Sequence, residues 1–261
     1  MKLFLLLIDK FTYLPIPKKL AADSDQLPRA LRLLPLLGLF CGGIIYGVSR
    51  LLLVMPPSGA AATLLGVHIL LGGATLLRDL ISVADGIAVG PIFMPRPHAP
   101  ANGEANEANS REVLEKQRRF NAGRAGLVWG MAWLLGLYFL YYWYFSFSMI
   151  NSFAVLAAPV VGRWLMCWTI FYFYAAPPAW LHRNFSRHDL IVCSALALLS
   201  VLPFSSPVLY ISVLVAFLGV YIFATFRQRS AGALDDACYG TAAAWAEILF
   251  LLGWLTFYRF L

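Results

Sequence analysis

The chain has 261 residues, of which 61% are hydrophobic and 13% charged, and its net charge is +7. Soluble domains run about 45–50% apolar and about 25% charged, so this composition excludes a soluble globular enzyme, a disordered chain and a disulfide scaffold. It predicts an all-α polytopic membrane bundle, a single integral-membrane domain over residues 1–261, with 8 Trp for interfacial belts. In chain order, Met1–Ile8 is an apolar run too short to span. It is followed by Lys10, Pro15, Pro17, Lys18 and Lys19 and has no small-residue cleavage site, so 1–32 reads as a cytoplasmic, interfacial segment. A spanning helix needs about 20 mostly apolar residues. Seven stretches are candidates: Leu33–Met55, Gly59–Leu77, Ala125–Ser148, Ile150–Ala175, the short Leu190–Pro203 (starting as early as His188), Pro207–Phe226 and Gly240–Tyr258. Pro56-Pro57, Pro177-Pro178 and Pro203 mark breaks between them. The stretch from 92 to 110 is rich in Pro, Ala, Asn, Gly and Glu without an apolar period, and reads as a flexible cytoplasmic insertion.

Charge orients the spans. Seventeen of the 20 Lys and Arg fall before the first span or in the second-to-third, fourth-to-fifth and sixth-to-seventh connections, the last holding Arg227 and Arg229. The positive-inside rule then puts the N-terminus and long loops in the cytoplasm and the C-terminus outside. The basic balance is accounted for by topology and lipid headgroups, with no nucleic acid required. Cys41, Cys167, Cys193 and Cys238 lie in or beside apolar stretches without CxxC spacing and read as core residues. Among the acids only Glu247 falls within a span, and Arg163 is its counterpart in another. Charges at that depth face the bundle interior or a wet cavity. The pair is either a structural bridge or the lining of a polar pocket.

The sequence contains no nucleophile motif, P-loop or paired-His spacing, and His68 reads as a packed or hydrogen-bonded residue. Three polar segments border the spans: Gly72 to Gly86, Leu114 to Gly126, and Gly232 to Gly240 followed by Glu247. In the first, Arg78, Ser82 and Asp85 are spaced to share one helix face. All three fall on the cytoplasmic side, where they can converge on one site.

The order of segments resembles the cobalamin 5'-phosphate synthase family, the adenosylcobinamide-GDP ribazoletransferases, over nearly the whole chain. Phe11 to Pro17 is similar to F-x-T-R-L-P-V-P, and Leu34 to Gly38 to F-P-L-x-G. Gly72 to Gly86 resembles G-G-x-H-x-D-G-L-x-D-x-x-D-G, and Leu114 to Gly126 resembles L-E-I-M-x-D-S-R-x-G-x-x-G. Gly162-Arg163-Trp164 resembles S-R-W, and Gly232 to Glu247 resembles G-G-x-T-G-D-T-L-G-A-x-x-E-L-x-E. The departures fall on the acids. Leu76, Arg78 and Ser82 stand where the family has His, Asp and Asp. Arg119 and Asn121 stand for Asp and Arg, and Ala237 and Ala244 for Asp and Glu, while Asp85, Arg163 and Glu247 match.

The resemblance implies a reaction. A ribazole oxygen attacks the phosphorus attached to cobinamide and GMP leaves, with Mg2+ and arginines steadying the leaving phosphate. It implies Asp85, Glu247 and Arg163 as catalytic or pocket residues, and Asp85 with the displaced Asp235 and Asp236 as metal ligands. Arg78, Arg118, Arg119 and Arg124 cluster at the same membrane end, and guanidinium groups grip phosphate bidentately; the same arginines also serve topology. One carboxylate on the Arg78 face is a poor cage for a divalent ion. The expectation is therefore phosphate binding with weakened Mg2+ dependence and turnover that is slow or absent. The resemblance further implies a bacterial or archaeal cytoplasmic membrane, corrinoid nucleotide and ribazole as substrates, and a homo-oligomer or membrane complex. The contrasting reading is a non-catalytic paralogue that binds corrinoid or phosphate as a membrane partner.

Overall fold

The computed structural model describes residues 2–12, 14, 26–88, 104–147, 153–173, 185–204, 206–231, 234 and 236–259. Its elements are helices: α1 (Lys2–Phe11), a short α2 (Leu27–Ala30), α3 (Leu34–Leu51), α4 (Pro57–His68), α5 (Ala74–Ala88), α6 (Glu104–Ser146), α7 (Ala154–Tyr172), α8 (Arg187–Val201), α9 (Pro207–Ala231) and α10 (Asp236–Phe257). Among the described residues six helical stretches are long and apolar enough to cross a membrane, and a bent pair makes seven if it is one span. Proline starts α4 and lies in the first turn of α3, where its missing N–H costs nothing. The short fifth span gains its length at its start: Ser186 and Asp189 form a reciprocal capping box, so the helix begins at Arg187. Most of the expected insertion lies outside the described residues, but from Glu104 onward the chain is already helical, in α6.

Small residues set the core. α10 packs against α9, α7, α5 and α6, and α7 also packs against α3. α10 carries Gly240, Thr241, Ala242, Ala243, Ala244 and Ala246 as a buried run, which lets neighbouring backbones approach closely. On α3, a Cβ added at Gly38 would lie 2.5 Å from the Pro159 carbonyl oxygen of α7, and one at Gly42 would strike that of Leu156. Leu127, Val128, Met131, Leu135 and Phe139 of α6, and Leu214, Leu218 and Ile222 of α9, point outward, as a lipid-facing surface requires. The four cysteines are buried and free of disulfides.

The second span departs from the straight helix that its hydropathy predicts. Pro57–Gly72 and Thr75–Asp85 meet at 82°, across a π-helical turn, Ile69–Gly73, in which Gly72 has φ +140°. Only glycine adopts that backbone without strain. The carbonyls loosened by the break find side-chain donors. Cys41 Sγ donates to Leu71 O at 3.4 Å, and Thr75 Oγ1 donates to Gly72 O at 2.7 Å. A freed backbone group in a bilayer needs such a partner.

Candidate functional site

Two polar centres lie along α10. The deeper one joins four helices. Arg163 of α7 donates from an Nη to Glu247 Oε1 of α10 at 3.0 Å, and the two are 3% and 1% exposed. His68 at the end of α4 places Nε2 3.2 Å from Glu247 Oε2, a contact without hydrogen-bond alignment. Its Nδ1 is 3.0 Å from the Tyr141 hydroxyl of α6. A Cβ added at Gly72 would come within 3.0 Å of the second Arg163 Nη and 2.8 Å of the Phe11 carbonyl oxygen of α1. The Arg–Glu–His–Tyr cluster therefore grips the break in the second span. His68 reaches it as the last residue of α4, immediately before the π-turn.

The second centre lies at the end of the bundle that carries most of the Lys and Arg. Glu247 is eleven residues beyond Asp236, so about 16 Å of helix separates the two centres. α5 turns Leu76, Leu80 and Val83 into the core. Arg78 and Ser82 are on the opposite face and exposed, Arg78 by 75%. Asp79, on the flank between, presses its Oδ2 against Gly240 in the first turns of α10, where any Cβ would collide. Its Oδ1 lies 3.4 Å from an Arg78 Nη. Asp236 opens α10 one turn before Gly240. Asp85 turns instead to α6, accepting the Gly126 N–H at 2.6 Å.

The residues expected to form one site thus divide. Arg163 and Glu247 pair with His68 in the deep centre, and Asp85 fastens α5 to α6. Arg78 and Asp236 belong to the basic end with Asp79. Asp235 and the side chains of Arg118, Arg119 and Arg124 lie outside the described residues, although those arginines are on α6. Among the described residues no three His, Cys, Asp or Glu side chains converge to hold a metal. With Asp85 engaged by backbone, the described carboxylates do not make up a Mg2+ cage. Sequence reasoning missed Asp79. Its signal was its place one residue after the position where the family acid is replaced by Arg78, just as Asp236 lies one before Ala237.

A helical bundle with Arg78, Asp79 and Asp236 together at one end, beside a buried Arg163–Glu247 pair, defines a polytopic membrane protein with a polar site. The cobalamin-5-phosphate synthase family model matches residues 3–94 and 103–255, and the chain belongs to that family. It is 26% identical over 253 residues to an adenosylcobinamide-GDP ribazoletransferase of Desulfitobacterium hafniense, covering 93% of this chain and 92% of that protein. It is 27% identical over 247 residues to one of Deinococcus radiodurans, covering 93% and 82%. No solved structure registers as a match.

Proposed function

We infer that the protein is a membrane-bound ribazoletransferase, joining adenosylcobinamide-GDP to α-ribazole or its 5'-phosphate and releasing GMP. The observation that carries this is the meeting of α5 and α10 at Asp79 and Gly240, within two segments that resemble the family's motifs. The family match over nearly all of the chain supports the transferase over a non-catalytic paralogue. A ribazole hydroxyl oxygen attacks the phosphorus attached to cobinamide, its proton passes to the Asp79 carboxylate, and the bond to the GMP oxygen breaks. Arg78, with Arg118, Arg119 and Arg124 of α6, holds the phosphates through charge-assisted hydrogen bonds. Mg2+ is part of the family resemblance, but the described residues do not form its site and no step is assigned to it. The site faces the cytoplasm of a bacterial or archaeal cell, with the N-terminus on the same side of the cytoplasmic membrane.

The test is turnover of purified protein with adenosylcobinamide-GDP and α-ribazole across a Mg2+ series. Wild type is expected to turn over with shallower Mg2+ dependence than a relative carrying all the motif acids. Asp79→Asn removes the base and is expected to lower kcat about 10²-fold or more, within the usual worth of general base catalysis. Asp79→Asn protein with wild-type kcat overturns the assignment of Asp79. A wild type that forms no product overturns the transferase.

A further inference from the structure

Arg227 is a charge that this site leaves unused. Hydropathy puts it in a loop after Phe226, but α9 continues to Ala231 and Arg227 is only 8% exposed. It extends a seam: Leu209, Ser212, Ala216, Val220 and Ala224, three or four residues apart, are all buried. That seam faces α10. A Cβ added at Gly253 would be 3.2 Å from Ser212 Cα, and one at Gly219 would strike Leu249. The same antiparallel register carried onward sets Arg227 beside Cys238–Thr241, where Asp79 abuts Gly240. Its Nε is buried without a hydrogen-bond partner, and no ion pair among the described residues includes its guanidinium. An arginine does not shed its charge in a protein, and an Nε–H buried without a partner is a hydrogen bond left unmade. The Nη atoms are not among the buried unpartnered ones, so the fork opens at the edge of the junction, where an oxyanion can reach it.

We propose that Arg227 grips a phosphate oxygen of the corrinoid nucleotide from the α9 side of the α5–α10 junction. The inference deepens the transferase reading and rests on it. The chemistry required is a phosphate oxyanion, which either the nucleotide diphosphate or an anionic lipid headgroup supplies. The guanidinium fork offers two parallel N–H donors to such a group.

The experiment compares wild type, R227K and R227Q in nanodiscs of phosphatidylcholine alone and of phosphatidylcholine with phosphatidylglycerol. It reads KM and kcat for adenosylcobinamide-GDP, binding of inorganic pyrophosphate by calorimetry, and melting temperature. R227Q is expected to raise KM about tenfold with a smaller change in kcat, as loss of a binding contact does, and to weaken pyrophosphate binding in both lipids. R227K is expected to recover part of each. A folded R227Q with wild-type KM and pyrophosphate affinity overturns the proposal. A defect that appears only with phosphatidylglycerol assigns the anion to lipid and overturns it too. If R227Q does not fold, R227K decides: KM raised at an unchanged melting temperature supports the grip, and wild-type KM overturns it. If wild type shows no turnover, the transferase reading fails, and the pyrophosphate titrations still decide for or against Arg227.

Discussion

At the scale of single residues, Arg163 and Glu247 were legible as partners because no other acid falls within a span predicted from hydropathy. Their surroundings were not legible, since His68 and Tyr141 approach from helices whose rotation is set by packing. The arrangement is that of a lock: Glu247 faces Arg163 on one side and His68 on the other, and Arg163 lies against Gly72. A buried pair that loses one member leaves a charge without compensation, which costs about 3–5 kcal/mol, whereas replacing both by apolar groups is often neutral. Glu247→Leu is therefore expected to destabilise the protein by about that amount, and Arg163→Leu with Glu247→Leu by clearly less. Denaturant melts in detergent micelles read both. A double variant as unstable as the single one contradicts the lock, while a stable double variant without turnover assigns the pair to the chemistry as well. Asp79 and Arg227 were hidden for different reasons. The first stands one residue from the motif position, and the second begins where hydropathy falls although the helix continues.

At the scale of elements, the spans were readable because about 20 apolar residues suffice to cross a bilayer whatever their packing. The break within the second was not readable, because Gly72-Gly73 inside an apolar run is also compatible with a straight helix. What fixes the break is tertiary. Phe11 of α1 and Arg163 of α7 occupy the space beside Gly72, and Cys41 and Thr75 cap the carbonyls that it frees. Gly72→Ala must put a Cβ both in a backbone region costing about 1–3 kcal/mol and against the Phe11 carbonyl. It is expected to lower the melting temperature more than Gly43→Ala or Gly66→Ala, where an added Cβ meets nothing within 4 Å. Comparable melting temperatures for the three variants would mean that the kink is dispensable. The break also matters for the site. It aims α5 so that Asp79 meets α10 and Asp85 meets α6, and this junction follows from the bend rather than from the 78, 82, 85 spacing.

At the scale of the whole molecule, the bent pair decides how many times the chain crosses, and with it which side receives the C-terminus. A re-entrant loop would turn back along its neighbour, whereas a bent span descends it. The contacts with α6 descend. His68 meets Tyr141, Leu77 and Ile81 meet the Gly130 position at 3.2 Å, and Asp85 meets Gly126. Contacts along α10 run the same way, from Glu247 beside His68 to Gly240 beside Asp79. These contacts favour one crossing, bent in the middle, which brings the spans among the described residues to seven. An odd number would put the two ends of the chain on opposite faces, the arrangement that the positive-inside rule predicts from 17 of 20 Lys and Arg. The four native cysteines are buried, so single cysteines introduced at Glu107 and Tyr258 report on exposure against a quiet background. In right-side-out vesicles, an impermeant maleimide is expected to label position 258 and to reach position 107 only after permeabilisation. Labelling of both from one side would reduce the crossings to an even number and return the α4–α5 pair to a re-entrant loop.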